Sequence, residues 1–145
     1  MRKEEFKQAW IHHVEHNDHH VEHFIENYSK LIDRLDQESN LIIRPMPDEA
    51  IVEMIVDQIA ASVSYEKSWP KTKKKDGWSW MKNNYQFFRL HPETKVKFSI
   101  LLMAIGFQSI ISSSIDWLTM VEKSSLSDKD KKKLFQLKYL IEKNN

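Results

Sequence analysis

The stretch "FSILLMAIGFQSII", Phe98–Ile111, follows closely on "LHPETK", Leu90–Lys95, and together they set the expected architecture. Pro92 suits the first turn of a helix, where no backbone N–H is needed. We therefore predict a helix that starts there, is apolar through Ile111 and continues to about Glu122. Its apolar residues repeat around most of the helix, which is more than one buried stripe requires. This helix should be enclosed in the middle of a bundle or between two copies of the chain, giving a possible homodimer through residues 98–121.

The length and the polar residues of the same stretch argue against a membrane span. Its fourteen residues are too few to span a bilayer, and Gln108 and Asp116 add polar groups within and after it. We expect no membrane span.

Composition narrows the class of protein. The 145 residues include 22 basic and 21 acidic ones, for a formal net charge of +1, and 41% are hydrophobic. We expect one domain, 1–145, with a real core, and the charge gives no overall reason to expect nucleic acid. The absence of cysteine excludes disulfides and thiolate chemistry. The N-terminus lacks the pattern of a secretory signal, so we expect a cytoplasmic protein.

Two glycines and no alternating strand pattern predict an all-α bundle of about five helices. The first should run from about Glu4 to Leu35, the second from near Asp48, and a short third over "WSWMKNNYQFF". A last helix should be capped by Ser127. Its inner side would comprise Leu134, Leu137, Leu140 and Ile141. The inner stripe of the first helix would comprise Phe6, Trp10, His13, Asn17, His20, Phe24, Tyr28, Leu31 and Leu35.

Six of the seven histidines fall in "HHVEHNDHHVEH", His12–His23. His13, His16 and His20 have offsets of three, four and seven, which project together on one helix. Imidazole nitrogens spaced in this way can bind one divalent ion.

The second helix offers the complementary oxygens, because Glu53 lies one turn before Asp57. Mixed nitrogen and oxygen ligation suits Zn, Fe, Mn or Ni better than Ca, and Mg stays open. The candidate ligands are His13, His16, His20 and Asp57, with Glu53 as a ligand or as the base acting on bound water. His19 would contact the substrate or support a ligand.

Two simpler interpretations of the histidine cluster stay open. Histidines on an apolar face can be hydrogen-bonded core residues, with Asp57 as a partner, and histidine clusters can act as proton switches.

The loop "SWPKTKKKDGWSW" interleaves lysine with aromatic residues, so Lys73 and Lys74 are candidate contacts for a substrate phosphate, together with Asn17. A lysine-rich loop can equally be only solvated, and a dedicated nucleic-acid site is not expected.

Three blocks of sequence resemble an uncharacterised family of small helical proteins of bacteria and phages, related in pattern to the HD-domain metal-dependent phosphohydrolases. The first block comprises His13, Asn17, His19, His20, Glu22 and Phe24. The second comprises Met46, Pro47, Glu53, Met54 and Asp57. The third is Leu90–Lys95. The match covers about 9–97, which leaves 98–145 as a C-terminal helical extension.

The chain also departs from that pattern. Gln58 stands where the family usually has Trp, and His23 replaces an aromatic residue. Longer relatives carry an upstream helix pair with an H-D dipeptide that this sequence lacks, so a complete H…HD…D set is not expected here.

The resemblance implies an HD-like bundle and metal-dependent hydrolysis of a phosphoester, which could be a nucleotide. Two alternatives remain: a non-enzymatic interaction protein, and a sensor that binds a nucleotide at a structural or degenerate metal site without cleaving it. Metal retention with turnover would separate the enzyme from both.

Overall fold

The computed structural model describes residues 2–72, 77–107 and 121–143, except for the side chains at 137, 138 and 140–142. The all-α prediction is confirmed. The α-helices with both ends in these ranges are α1 (Lys3–Glu15), α2 (Tyr28–Leu31), α3 (Asp48–Glu66), α4 (Ser79–Asn84), α5 (Pro92–Ile105) and α6 (Asp128–Lys143). Three short 3-10 helices cover Val21–Phe24, Ile32–Gln37 and Tyr85–Phe87. The only β pairing in the described ranges is an isolated antiparallel bridge between Ile25 and Ile43.

The prediction of one helix from Glu4 to Leu35 is wrong, because α1 ends at Glu15. Side chains from beyond the helix take up the carbonyl groups of its last turn. Asn17 Nδ2 donates to the His13 carbonyl over 2.6 Å, and a ring nitrogen of His23 lies 2.9 Å from the Val14 carbonyl oxygen. Such side-chain bonds offer the backbone an alternative to continuing the helix. Phe6, predicted to face inward, is 64% exposed.

The chain after α1 folds back to form a small core of its own. Asn27 adopts a left-handed backbone conformation, with φ of 57°, directly before α2. Ile11 and Val14 of α1 pack there against Ile25 and Tyr28. The segment that was expected to extend α1 therefore turns around its end.

The second helix begins at Asp48 as predicted and buries Ile51, Met54 and Ile55. These residues join the main core with residues of α5. On the same helix, Asp57 lies against the turn that follows α1.

The start of α5 is also as predicted. The His91 side chain accepts a hydrogen bond from the Glu93 N–H, and Pro92 occupies the first turn. The predicted continuation to about Glu122 is wrong, because Gly106 ends the helix with φ of 116°. Its N–H bonds to the Leu102 and Met103 carbonyls, a common helix ending that favours glycine. Residues 108–120 lie outside the described ranges.

The apolar side chains of α5 are used within the chain itself. Phe98 and Leu102 have no exposed surface, and Phe107 is buried beyond the end of the helix. The enclosed position predicted for this stretch is therefore confirmed for residues 98–103. A homodimer through 98–121 stays a prediction, since most of the remaining residues are not described.

The last helix closes the bundle. Ser127 Oγ accepts from the Asp130 N–H over 3.2 Å, so the predicted cap is confirmed. Leu134 and Phe135 pack against the main core, as Leu126 does before the helix. The side chains of Leu137, Leu140 and Ile141, also predicted to face inward, lie outside the described part. In the described part, no helix has the length and apolarity needed to cross a membrane.

Candidate metal centre

The turn that follows α1 faces the middle of α3 and brings imidazoles to a carboxylate. His19, His20 and Asp57 each offer a ligand atom, and these atoms all lie within 4.8 Å of one another. Asp57 is exposed, and both histidines are half-buried. The site is thus built from a turn and one helix, where the sequence predicted two helices with opposed faces.

His13 lies directly beside this group. Its Nε2 is 2.9 Å from Nε2 of His20, and Asn17 Nδ2 is 3.4 Å from His13 Nδ1. Asn17, a predicted substrate contact, therefore holds the end of α1 and lies next to the His13 ring.

A second group overlaps the first. Asp18, His19 and Glu53 also have ligand atoms within 4.8 Å of one another. His19 Nδ1 lies 4.0 Å from a carboxylate oxygen of Glu53, whose side chain is 63% exposed. Glu53, predicted as a ligand or base, is therefore close to His19 rather than to His13 or His16.

The structure places His16 apart from these groups. Its Nδ1 lies 2.8 Å from the His12 carbonyl oxygen, and its ring packs on that of His12 with centroids 4.1 Å apart. The helical offset of three from His13 does not bring His16 to Asp57, because the histidines nearest Asp57 come from the turn. Lys73 and Lys74, predicted substrate contacts, lie outside the described residues.

A pocket of about 360 Å³ opens beside His19, His20 and Asp57. Its described lining also includes Trp10, Val21, Glu22, Met54, Gln58, Ala61, Ser62, Tyr65, Glu66, Trp80 and Phe88. The cavity is largely apolar and lies next to the polar side chains of His19, His20 and Asp57, which is the usual form of a small-molecule site.

Glu22 also lines the pocket, although the sequence pattern predicted no role for it. Burial raises the pKa of its carboxyl group, while its own backbone amide and Arg89 act in the opposite direction. A carboxyl group that holds its proton more tightly in a pocket is a candidate general acid. Its position two residues after His20 was the only signal in the sequence, and the fold shows that it is half-buried in the pocket wall.

The electrostatics of His20 favour the neutral ring. Burial lowers its pKa, the neighbouring His19 and His13 lower it further, and Asp57 acts against them. Neutral imidazole is the form that ligates a metal.

The donor set fits a divalent transition metal. Two imidazoles and one carboxylate, with His13 adjacent, match the mixed nitrogen and oxygen ligation of zinc and its neighbours. Ligand atoms that already lie within 4.8 Å of one another need small side-chain shifts to reach bonds of about 2.0–2.2 Å to one ion.

The fold and this site define an all-α protein with a histidine and carboxylate cluster beside a pocket. The chain belongs to DUF5662, a family of unknown function, whose model matches residues 1–103. That match spans α1 to α4 and most of α5, and so includes every residue of the cluster. No curated protein and no solved structure matches the chain.

Proposed function

We propose that this protein holds one divalent metal ion through His19, His20 and Asp57, and that it hydrolyses a phosphoester in the adjoining pocket. The supporting observation is that the ligand atoms of these three side chains lie within 4.8 Å of one another. His13 is the candidate fourth ligand, because its Nε2 is 2.9 Å from that of His20.

The proposed reaction class rests on the resemblance of the sequence blocks to the HD-domain phosphohydrolases. This chain would be a variant of that pattern, since its ligands come from one turn and one helix. A divalent ion at these ligands would supply Lewis acidity toward a phosphoryl oxygen.

Two carboxyl groups, those of Glu53 and Glu22, would transfer the protons. In hydrolysis, a water oxygen bonds to phosphorus, the ester P–O bond breaks, and the alcohol leaves with a proton. Glu53, 4.0 Å from His19 Nδ1, would accept the proton of the attacking water. Glu22, whose pKa is raised by burial, would donate a proton to the leaving oxygen.

Elemental analysis of protein purified without chelator tests the metal, and a panel of phosphoesters with added Mn, Fe, Zn, Ni or Mg tests the reaction. We expect about one ion per chain and turnover that a chelator removes. Glu53→Gln should keep the ion and lose most of the turnover, whereas Glu49→Gln, on the exposed outer side of the same helix, should change neither. Protein that contains far less than one ion per chain, and takes up none, would overturn the proposal.

A second candidate is a protein that binds the same ligand without turnover. It is favoured by the exposure of Glu53, 63%, since a solvated carboxylate is a weak base. Ligand-dependent thermal stabilisation of the metal-loaded protein, with no product formed, would support this candidate over the hydrolase.

A further inference from the structure

The pocket beside the candidate metal centre is walled by aromatic rings. Trp10, Trp80 and Phe88 line it, with Tyr65 at its edge. The Trp80 and Phe88 rings lie 6.0 Å apart between centroids and are inclined by 55°, so together they form a corner. Aromatic faces carry partial negative charge and attract cations.

A buried acceptor lies in the wall of the same pocket. Gln58 lines the pocket, and its side-chain oxygen is buried without a hydrogen-bond donor from the described residues. A buried acceptor that lacks a donor destabilises the folded state, because it has lost its hydrogen bonds to water. A ligand that donates a hydrogen bond to this oxygen would remove that penalty.

The charges of the lining have one sign. Asp57 and Glu66 contribute carboxylates, and no Lys or Arg is among the described residues that line the pocket. The nearby Arg89 is paired with Asp36 at the surface. Aromatic faces, carboxylates and an unpartnered amide oxygen together form an environment that favours a cation with N–H donors.

We propose that the pocket binds a protonated primary amine, with the ammonium group at Gln58 and against Trp80. A primary ammonium offers three N–H donors, so one can reach the Gln58 oxygen while the charge faces the rings. Resting on the proposed function, the substrate class is an aminoalkyl phosphoester. Its phosphoryl group would lie at His19, His20 and Asp57.

The test uses a probe without phosphate, so that it does not depend on the metal or on turnover. Binding of 2-phenylethylammonium to the full chain is compared with binding of 2-phenylethanol, which has the same carbon skeleton and no charge, by calorimetry at neutral pH. We expect the ammonium to bind at least ~10-fold more tightly, which corresponds to about 1.4 kcal/mol. Equal affinity, tighter binding of the alcohol, or no binding of the ammonium would overturn the proposal.

Variants locate the effect. Gln58→Leu removes the buried acceptor at similar volume and should abolish most of the preference for the ammonium, and Trp80→Ala should weaken it. Trp69→Ala is the matched control, because Trp69 is 70% exposed and lies outside the pocket lining. A preference that survives both pocket substitutions in folded protein, as judged by circular dichroism, would contradict this placement.

The two proposals can fail separately. Ammonium preference without hydrolysis of any phosphoester would leave the amine pocket standing and remove the hydrolase. Hydrolysis of alkyl phosphates that lack an amino group as fast as of aminoalkyl phosphates would do the reverse.

Discussion

The Nε2 atoms of His13 and His20 lie 2.9 Å apart, although the helix that carries His13 ends at Glu15. The two rings meet because the chain turns directly after α1 and returns toward it. Asn17 and His23 hold that turn by bonding carbonyl groups in the last turn of the helix. The histidine cluster is thus a consequence of where α1 stops.

The first prediction concerns metal retention. Replacing His20 or Asp57 by Ala should remove most of the bound ion, because each offers one of the three ligand atoms that lie within 4.8 Å of one another. His16→Ala is the matched control and should retain the ion, since the His16 ring lies against His12. Metal content by mass spectrometry measures both. If His16→Ala loses as much metal as His20→Ala, the ligand set proposed above is incorrect.

The pH dependence of retention follows from the same residue. A metal competes with the proton for imidazole. Because burial lowers the pKa of His20 below its ordinary 6.5, this ring stays neutral to a lower pH than a free histidine would. We expect the wild-type protein to keep its metal at pH 6.5 and to lose it as pH falls further. Dialysis at stepped pH, followed by metal analysis, checks the direction. Loss that is already complete above pH 6.5 would contradict it.

The turn itself can be tested at Asn17. Asn17→Ala removes the 2.6 Å bond to the His13 carbonyl, and a lost hydrogen bond of this kind typically costs about 1 kcal/mol. We expect a lower urea midpoint and weaker metal binding in the same variant. Asn40→Ala, at an exposed loop position, is the control and should change neither. Weaker metal binding at unchanged stability would instead favour a direct ligand or substrate role for Asn17.

The core position of α5 gives a prediction on stability. Leu102 is fully buried, so Leu102→Ala should lower the free energy of unfolding by about 2–5 kcal/mol, and Leu102→Asp should prevent folding. Ile105, on the same helix, is 43% exposed, so Ile105→Ala should cost much less. Urea unfolding followed by circular dichroism compares the two. Similar costs for both alanine variants would show that this face of α5 is not enclosed.

Lys95 gives a prediction at alkaline pH. Its ammonium donates to the Tyr85 carbonyl over 2.6 Å and lies 4.0 Å from the Tyr85 ring centroid, and burial lowers its pKa from 10.5 to about 8. The folded state therefore binds this proton less tightly than the unfolded state does. Desolvation of the charged Lys95 therefore lowers the free energy of unfolding. This loss of stability is fully present below pH 8 and decreases as pH rises toward 10.5.

Lys95→Met keeps most of the stem and removes the charge. The unfolding free energy of the variant minus that of the wild type should decrease between pH 7 and pH 9.5, because the wild type gains stability as Lys95 loses its proton. We expect a shift on the order of 1 kcal/mol, since the side chain keeps some contact with solvent. Lys97→Met is the control for loss of one surface charge on the same helix. An unchanged difference across this range would show that the ammonium is not desolvated.

The sequence by itself determined the helical class and the parts that depend on neighbours along the chain. Pro92, Asp48 and Ser127 each mark the start of a helix, and each start lies where it was predicted. The N–H groups of a first turn have no partner within the helix, so acidic or hydroxyl side chains are favoured there and proline, which has no N–H, is tolerated. The apolar run from Phe98 was assigned to the interior because its residues cover more than one face of a helix, and the structure buries Phe98, Leu102 and Met103 of that run but leaves Ile105 partly exposed.

The ends of helices and the membership of the site were decided only by tertiary structure. Spacings of three and four continue past Glu15 in the sequence, but the carbonyl groups there are taken by Asn17 and His23 from the folded-back turn. His19 therefore joins His20 and Asp57, while His16 does not. Helical periodicity describes which residues share a face only while the helix lasts. Where it stops depends on competing hydrogen bonds from residues that only the fold brings near.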